Sequence, residues 1–556
     1  MKVSRRDLLI GSAGVTAGII FTPVPWKLLG DVSIWTQNFP WIPQPPRGPV
    51  EVKQSTCTLC ANGCGVRVRM AAGCPVGVAG VSGHPVSKGA LCPLAFAAHQ
   101  LNWHPRRLRE VRHHGRSAPW SEAQTAFEKA CSEGPVAVFD GRPERAASSV
   151  LEAFAQKHNG SYQPVLGSES RALSPYAQWT GVPVNALGYD LENTGTIVSF
   201  GAPLLDGWGT PGRFTRLWSE KAAGARDPQL RVIQIESSLS RTASLAWRWI
   251  PIREGSEAAL AAGVAHVLLE ERLVAARGPV PAMTLAEAAA QTGSNTEDIR
   301  SLARTMVESQ PVVVIAPNAN PSVAALNVLL CAVGTPGGIV TKKSHAPAHA
   351  PAKTTDGSLR AVLIDASVPW EFDPPTSAEV FRFAAWDGGG NKADWLLPAP
   401  GFVEELSDVP ASPTSAVDTY AIAVNLATPP AEARSAAQFL LQIDSSLPAI
   451  EKTIQARCEE IFRAHEGAVY GEQTLAVAKF ESAQKLEERL RKGAVWVGNP
   501  PLHGSLRCVL KEWPAEKPLP RAANWAMAWP APVLPSIATK LYQESNLREA
   551  PAGRQA

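Results

Sequence analysis

Three cysteines lie within the stretch Cys57-Thr58-Leu59-Cys60-Ala61-Asn62-Gly63-Cys64, and a fourth follows in Cys92-Pro93. A Cys-x2-Cys-x3-Cys loop supplies three thiolates from a short piece of irregular backbone, and a distant cysteine completes the ligands of an iron–sulfur cluster. Gly63 and Gly65 let the backbone turn the sulfurs inward, and Pro93 restricts the chain at Cys92. The spacing therefore predicts a 4Fe-4S cluster held by Cys57, Cys60, Cys64 and Cys92, and hence electron transfer.

Zinc is the alternative that the same cysteines leave open. Zinc sites more often pair two short Cys-x2-Cys segments, whereas Cys92 stands alone, so the spacing favours the cluster. The other cysteines occur singly and are interpreted as buried apolar residues or free thiols. They are Cys74, Cys131, Cys331, Cys458 and Cys508.

The N-terminus resembles an export signal. Ser4-Arg5-Arg6-Asp7-Leu8-Leu9 has the form of a twin-arginine signal, and the apolar stretch from Leu8 to Phe21 is too short for an ordinary spanning helix. The twin-arginine route carries folded proteins, which suits a cofactor assembled before export. Residues 1–30 are therefore predicted to be a signal segment, either cleaved or kept as an anchor. The protein is expected on the periplasmic side of the cytoplasmic membrane.

Length and composition predict several domains and argue against a nucleic-acid partner. The chain has 556 residues, 45% of them hydrophobic, and a formal charge of only +3. No basic cluster is interleaved with aromatic residues. Because no run of about 18 apolar residues follows Phe21, membrane association is expected only through the N-terminus or a partner. Proline-rich stretches at residues 39–50, 346–352 and 513–535 are interpreted as extended connectors, and residues 31–49 as a linker.

The central part of the chain has an α/β pattern. One helix is predicted from Ser256, its expected cap, to Glu271. Alternating strands and helices over about three hundred residues predict doubly wound sheets, whose ligand crevices lie at the C-terminal ends of the strands. Short apolar runs that are typical of buried parallel strands are Val136–Phe139, Thr196–Phe200, Val232–Ile235, Val312–Ile315 and Ala361–Ile364.

Small residues follow several of these strands and helices. Phe200-Gly201-Ala202-Pro203 and Glu236-Ser237-Ser238 come after strands, and Gly334-Thr335-Pro336-Gly337-Gly338 comes after a later helix. At such positions backbone N–H groups can approach a nucleotide or pterin phosphate. Each loop alone is weak evidence, because glycine ends strands and helices in many proteins.

In their order along the chain, these motifs resemble the molybdopterin oxidoreductases of the dimethyl sulfoxide reductase superfamily. The resemblance covers roughly residues 50–410, and the ordered set is more specific than any single motif. Besides the cysteines, its segments are Trp103–Leu108, Trp120–Ala123, Asn193–Gly201, Ser240–Ala243, Ile250–Ser256, Val333–Gly338 and Ala393–Pro398. Within the first of these, His104, Arg106 and Arg107 are interpreted as helix caps rather than as cluster supports.

The resemblance implies a 4Fe-4S domain at residues 50–115 and interleaved α/β domains at residues 116–440. In the family these domains hold a molybdenum cofactor with two pterin guanine dinucleotides. The positions that match loops near this cofactor are Gly201, Glu236 and Glu257.

Three departures from the family make a bound molybdenum cofactor doubtful. Leu94 stands where the family usually has Lys or Arg, two residues after the fourth cysteine. The stretch 167–190, which should supply the metal ligand, has no cysteine and leaves Ser168, Ser170, Ser174 and Asp190 as candidates. The family's C-terminal β-barrel is not evident, since residues 441–512 are predicted to be mainly helical, for example from Phe480 to Lys492.

The tail at residues 513–556 is rich in proline and tryptophan. Pro532–Pro535 and Lys540–Arg548 resemble the C-terminus of molybdopterin-like subunits in quinone-linked membrane complexes of the menaquinone reductase and alternative complex III type. The alternative is an extended arm that packs on its own chain.

The sequence thus predicts an exported iron–sulfur electron-transfer subunit of a quinone-linked respiratory complex. Its expected partners are iron–sulfur or cytochrome subunits and quinone-reactive membrane subunits. Two alternatives stay open: a catalytically active molybdenum oxidoreductase, and a scaffold subunit that is poor in cofactors.

Overall fold

The computed structural model describes residues 4–21, 48–60, 62–104, 106–205, 207–222, 228–275, 278–342, 359–366, 378–387, 393–411, 415–501, 503–504 and 506–514. Most of the predicted linker 31–49, the stretch 346–352 and nearly all of the tail 513–556, including both of its motifs, lie outside these residues. Among the helices described, none combines the length and the apolar character that crossing a membrane requires.

The helices are spread over the whole described chain. Some begin at reciprocal capping boxes, such as Thr284 with Glu287 and Ser435 with Gln438. The helices are α1 (Arg5–Phe21), α2 (Pro93–Leu101), α3 (Trp120–Glu133), α4 (Ala146–Lys157), α5 (Ser168–Thr180), α6 (Pro211–Leu217), α7 (Arg241–Leu245), α8 (Glu257–Glu270), α9 (Leu285–Thr292), α10 (Thr296–Glu308), α11 (Pro321–Leu329), α12 (Ala436–Ile443), α13 (Ile450–Ala464) and α14 (Ala483–Arg491).

The strands are short and alternate with these helices through the middle of the chain. They are β1 (Val50–Thr56), β2 (Gly65–Ala71), β3 (Cys74–Gly80), β4 (Val111–His113), β5 (Arg116–Ala118), β6 (Val136–Asp140), β7 (Ser161–Pro164), β8 (Leu187–Tyr189), β9 (Thr196–Phe200), β10 (Arg231–Glu236), β11 (Arg248–Pro251), β12 (Val312–Ile315), β13 (Ile339–Thr341), β14 (Ala361–Ala366), β15 (Glu379–Ala384), β16 (Trp395–Pro398), β17 (Ser407–Val409), β18 (Thr419–Ala423), β19 (Ala468–Tyr470), β20 (Leu475–Ala476) and β21 (Val495–Val497).

The N-terminal unit is a small antiparallel sheet. Its strands follow the order β1-β2-β3, and the first two form a hairpin in which Thr56 is the register partner of Gly65. Alternate residues of β2 are buried, so the hairpin presents one face to a core that it shares with α2. The loop that connects β1 to β2, at the closed end of the hairpin, contains three of the predicted ligands.

Two doubly wound sheets form the centre of the molecule. A four-stranded sheet in the order β11-β10-β9-β12 is parallel throughout. A seven-stranded sheet in the order β5-β4-β16-β15-β14-β6-β7 is parallel from β16 to β7 and has an antiparallel edge. The chain leaves the larger sheet after β7, builds the smaller one and returns at β14, so the two α/β units interleave as predicted.

The strands of the smaller sheet are apolar on both faces because helices cover both. Val198 and Ile233 pack into one core with α8, while their neighbours Ile197 and Val232 pack into another with α5 and α6. This two-sided burial explains why the strands are continuous apolar runs in the sequence. Ser256 precedes α8 as predicted, but its hydroxyl donates to the Arg253 carbonyl at 2.5 Å and makes no cap hydrogen bond, so this part of the prediction is wrong.

The C-terminal region combines helices with a third sheet. Helices α12 to α14 match the predicted helical character, and α14 lies within the segment predicted from Phe480 to Lys492. The structure adds a five-stranded sheet in the order β17-β18-β21-β19-β20, and no closed barrel occurs in the described residues. These strands are two to five residues long, too short to show a clear pattern in the sequence.

Candidate metal centre

The structure brings the four predicted ligands together between the β1–β2 hairpin and α2. Cys57 directly follows β1 and Cys64 directly precedes β2, and the Cys57 N–H donates to the Cys64 carbonyl at 2.9 Å. Cys60 lies between them, in what we term the cluster loop (residues 57–64). Cys92 is the N-cap residue of α2, and its Sγ accepts a hydrogen bond from the Ala95 N–H at 3.4 Å. The helix start thus directs positive partial charge at this sulfur.

The thiols lie close enough to act on one another electrostatically. Burial is the main cause that raises the pKa of all of them, and it raises the pKa of Cys57 to about 12. Electrostatic repulsion between thiolates raises these pKa values further, and Cys92 acts in this way on Cys57, Cys60 and Cys64. Four such thiols ionise together only beside compensating cations. The donor set therefore fits an iron–sulfur core, although the described residues contain no group of three or more His, Cys, Asp or Glu side chains arranged for a single metal ion.

Glycines allow the cluster loop to close and to pack. Gly63 has a φ of +62°, in the left-handed region that favours glycine. Gly65 leaves room for His84, because a Cβ at this position would lie 2.4 Å from the His84 Cδ2. Gly63 thus has the predicted role in backbone conformation, whereas Gly65 is needed for packing against His84.

Sequence reasoning missed Asn62, a buried donor inside the cluster loop. Its Nδ2 donates to Cys64 Sγ at 2.6 Å, and its backbone N–H donates to Cys60 Sγ at 3.5 Å. Hydrogen bonds to ligand sulfurs are among the factors that set cluster potentials. The only signal in the sequence is the position of Asn62 between two cysteines.

Three distant segments enclose the cluster loop. Arg145 follows β6, and its Nη2 donates to the Thr58 carbonyl at 2.9 Å and the Cys60 carbonyl at 3.4 Å. Gly212 brings α6 against the loop, since a Cβ on it would lie 3.1 Å from Cys64 Sγ. Val409 of β17 packs against Gly63 in the same way. The loop is therefore held inside the molecule by both α/β units and the C-terminal sheet.

Leu94 and Arg107 have packing and bridging roles in the described structure. Leu94 is buried in the apolar core of the N-terminal unit. Arg107 is not a helix cap, which corrects that prediction: its Nη1 donates to the Ala385 and Ala399 carbonyls at 3.0 and 2.9 Å, and its Nη2 pairs with Glu404. This arginine joins the N-terminal unit to the seven-stranded sheet.

The three residues predicted to lie near a cofactor are at the C-terminal edge of the four-stranded sheet, whereas Gly337 packs against Asn193 and Pro311, which precede β9 and β12. Gly201 follows β9 with a φ of +79°, Glu236 ends β10, and Glu257 begins α8 after β11. The Glu236 carboxylate accepts hydrogen bonds from the Gln234 Nε2 at 2.9 Å and the Ser240 N–H at 3.2 Å, so it secures its own loop. Their predicted contact with a cofactor stays a prediction.

Two of the candidate molybdenum ligands, Asp190 and Ser174, make internal side-chain hydrogen bonds. Asp190 accepts hydrogen bonds from the Asn193 Nδ2 at 3.0 Å and the Gly337 N–H at 2.9 Å, which fixes the turn after β8. The remaining candidates share one helix, where Ser174 Oγ donates to the Ser170 carbonyl at 3.4 Å. They are Ser168, Ser170 and Ser174 on α5.

The described edge of the seven-stranded sheet does not fit a phosphate group. Asp140 and Asp365 are register partners at the C-terminal ends of β6 and β14, and both are buried. Burial, and then Asp365, raise the pKa of Asp140. Arg142 pairs with Asp365 at 3.5 Å and Glu405 at 2.7 Å, so its charge is already compensated. A pterin nucleotide would need free donors or cations here.

Comparisons with known proteins give the same resemblance as the fold and the cysteine loop. Residues 50–101 match the molybdopterin oxidoreductase Fe4S4 domain. The fold of acetylene hydratase from Pelobacter acetylenicus is similar, with a TM-score of 0.60 at 13% identity over 81% of this chain and 74% of that one. The resemblance to the molybdopterin oxidoreductase superfamily, with an N-terminal 4Fe-4S domain and interleaved α/β domains, is therefore confirmed.

Three relatives are similar to parts of this chain. The molybdopterin-binding-like subunit of menaquinone reductase from Nitratidesulfovibrio vulgaris is 31% identical over 364 residues, which is 61% of this chain and 52% of that protein. A sulfite dehydrogenase polypeptide from Allochromatium vinosum is 26% identical over 41% of this chain and 24% of its own length. A nitrate reductase from Klebsiella oxytoca is 28% identical over 39% of this chain and 26% of its own length. The match thus spans about half of the first relative and about a quarter of the other two.

Proposed function

We propose that this chain is an iron–sulfur electron-transfer subunit of an exported, membrane-associated and quinone-linked oxidoreductase complex. The observation that carries the proposal is the grouping of Cys57, Cys60, Cys64 and Cys92 inside a matched Fe4S4 domain. These four residues are the proposed ligands. When bound, the cluster supplies reversible uptake of one electron.

The protein's own residues would control this electron uptake in two ways. The Asn62 amide and the Ala95 N–H donate hydrogen bonds to ligand sulfurs, which stabilises negative charge on the cluster. The packing of Gly212 and Val409 against the cluster loop limits access of water. Both factors are known determinants of cluster potential.

The quinone-linked complex rests on the relative from menaquinone reductase, and export rests on the twin-arginine pattern at the start of α1. In this proposal the protein works on the periplasmic side of the cytoplasmic membrane. Its partners are iron–sulfur or cytochrome subunits and quinone-reactive membrane subunits. Attachment to the membrane is through the N-terminus or through these partners.

An active molybdoenzyme is the second candidate, because sulfite dehydrogenase and nitrate reductase are among the relatives. Iron, molybdenum and pterin are quantified in the full chain purified from its native membrane. The proposal predicts about four iron atoms per chain and no molybdenum or pterin above background. About one molybdenum per chain would establish the second candidate, and a chain without iron would indicate a scaffold role.

A further inference from the structure

Arg145 is a buried cation that contacts the cluster loop from outside the N-terminal unit. It follows β6 and is only 4% exposed. Its Nη2 lies 2.9 Å from the Thr58 carbonyl and 3.4 Å from the Cys60 carbonyl, and its Nη1 lies 3.4 Å from Ser407 Oγ. The guanidinium thus bridges the cluster loop and the C-terminal sheet.

The positive charge of Arg145 lies beside the cluster loop, because its guanidinium is within hydrogen-bond distance of two backbone carbonyls of that loop. The guanidinium keeps its positive charge at neutral pH, because arginine is not deprotonated in proteins. Arg142 pairs with Asp365 and Glu405, and Asp408 and Glu405 also lie near enough to Arg145 to act on its charge. Glu169 is an acidic group that acts on Cys60 with a charge opposite to that of Arg145.

We propose that Arg145 is a positioning residue that raises the reduction potential of the cluster through its buried charge. The inference rests on the proposed function, since it requires a cluster on the four cysteines. Reduction adds one electron to the cluster and no bond forms or breaks, so the reduced state is more negative by one charge. A fixed cation within hydrogen-bond reach of the ligand loop, screened from water, favours that state. Its two carbonyl contacts also hold the backbone between Cys57 and Cys60.

The test is a redox titration of the full chain followed by electron paramagnetic resonance (EPR), with iron content measured on each sample. Arg145→Gln is expected to lower the equilibrium constant for reduction at least tenfold, which is about 59 mV for one electron. Arg145→Lys keeps the charge, and its equilibrium constant for reduction is expected to stay within about threefold of the wild-type value. Arg69→Gln makes the same charge change at an exposed position of β2, where water screens it, and is expected to leave the potential unchanged.

If Arg145→Gln has full iron content and its equilibrium constant for reduction is within about threefold of the wild-type value, the inference is overturned. If Arg145→Gln does not retain iron, Ser407→Asp gives the answer, since it sets a carboxylate against the Arg145 Nη1 and offsets its charge. This variant is expected to lower the potential, and an unchanged potential would overturn the inference. Absence of iron from the wild type would instead contradict the proposed function, so the two failures are distinguishable.

Discussion

Asn62 illustrates how a single residue can set the properties of the proposed cluster. Its side-chain amide donates to Cys64 Sγ at 2.6 Å from a buried position. A donor to a ligand sulfur spreads the negative charge of the reduced state and makes reduction easier. The cysteine spacing predicts the ligands but not this donor, because an asparagine in a short loop is also common as a plain turn residue.

Replacing Asn62 is therefore expected to lower the reduction potential in a graded way. Asn62→Ala removes the donor, and Asn62→Asp sets a negative charge against the same sulfur. We expect the order wild type, Asn62→Ala, Asn62→Asp from the highest potential to the lowest, measured by redox titration with EPR detection. A potential of Asn62→Ala at or above that of the wild type would contradict this role.

At the scale of elements, the β1–β2 hairpin depends on a close contact next to the loop that connects its strands. Gly65 is the first residue of β2, and His84 fills the space where a side chain would begin. His84 is itself buried, and its Nδ1 accepts a hydrogen bond from the Ser87 N–H at 3.4 Å. An added methyl group would displace the imidazole from this contact.

We expect Gly65→Ala to destabilise the N-terminal unit by about 1–3 kcal/mol. The measurement is the urea midpoint for loss of the visible absorbance of the cluster. Gly83→Ala is the matched control, because nothing lies within 4 Å of a Cβ placed at Gly83. Equal midpoints for the two variants would show that the contact with His84 does not limit stability.

Helix α1 carries the two arginines of the export pattern at its start. Arg5 and Arg6 are exposed, so replacing both by lysine keeps their charge without disturbing a core. The double variant is expected to remain in the cytoplasm, as measured by cell fractionation, while Arg69→Lys is exported normally. Export of the double variant at the wild-type level would argue against the twin-arginine route.

The elements also show what the sequence could and could not predict. The strands of the central sheets can be predicted from the sequence, because burial on both faces makes them continuous apolar runs, as in Val312–Ile315. The strands of the C-terminal sheet cannot be predicted in this way, because strands such as Leu475–Ala476 are too short to show an alternating pattern. Residues that contact the cluster loop from afar escape sequence reasoning for a different reason: Arg145 and Thr58 are 87 positions apart.

At the scale of the whole molecule, a buried ion pair connects the N-terminal unit to the segment that follows the larger sheet. The Arg107 and Glu404 side chains are 1% and 4% exposed and are separated by 297 positions in the chain. The Glu404 carboxylate also accepts a hydrogen bond from the Gly401 N–H at 2.6 Å. Removing one partner would leave a buried charge without compensation.

Glu404→Ala is thus expected to destabilise the protein by about 3–5 kcal/mol. Glu459→Ala breaks the exposed pair with Arg463 and is expected to cost no more than about 0.5 kcal/mol. Both are measured as shifts of the urea unfolding midpoint. Similar shifts for the two variants would mean that the buried pair does not hold the units together.

The central claim, that four cysteines hold one 4Fe-4S cluster, is tested most directly by EPR of the chemically reduced full chain. The wild type is expected to show an iron-dependent signal that Cys131→Ser keeps and Cys92→Ser loses or alters, because Cys131 is half-buried on α3, away from the cluster loop in sequence. A wild type without iron and without a signal would contradict the claim. So would a Cys92→Ser variant whose signal and iron content equal those of the wild type.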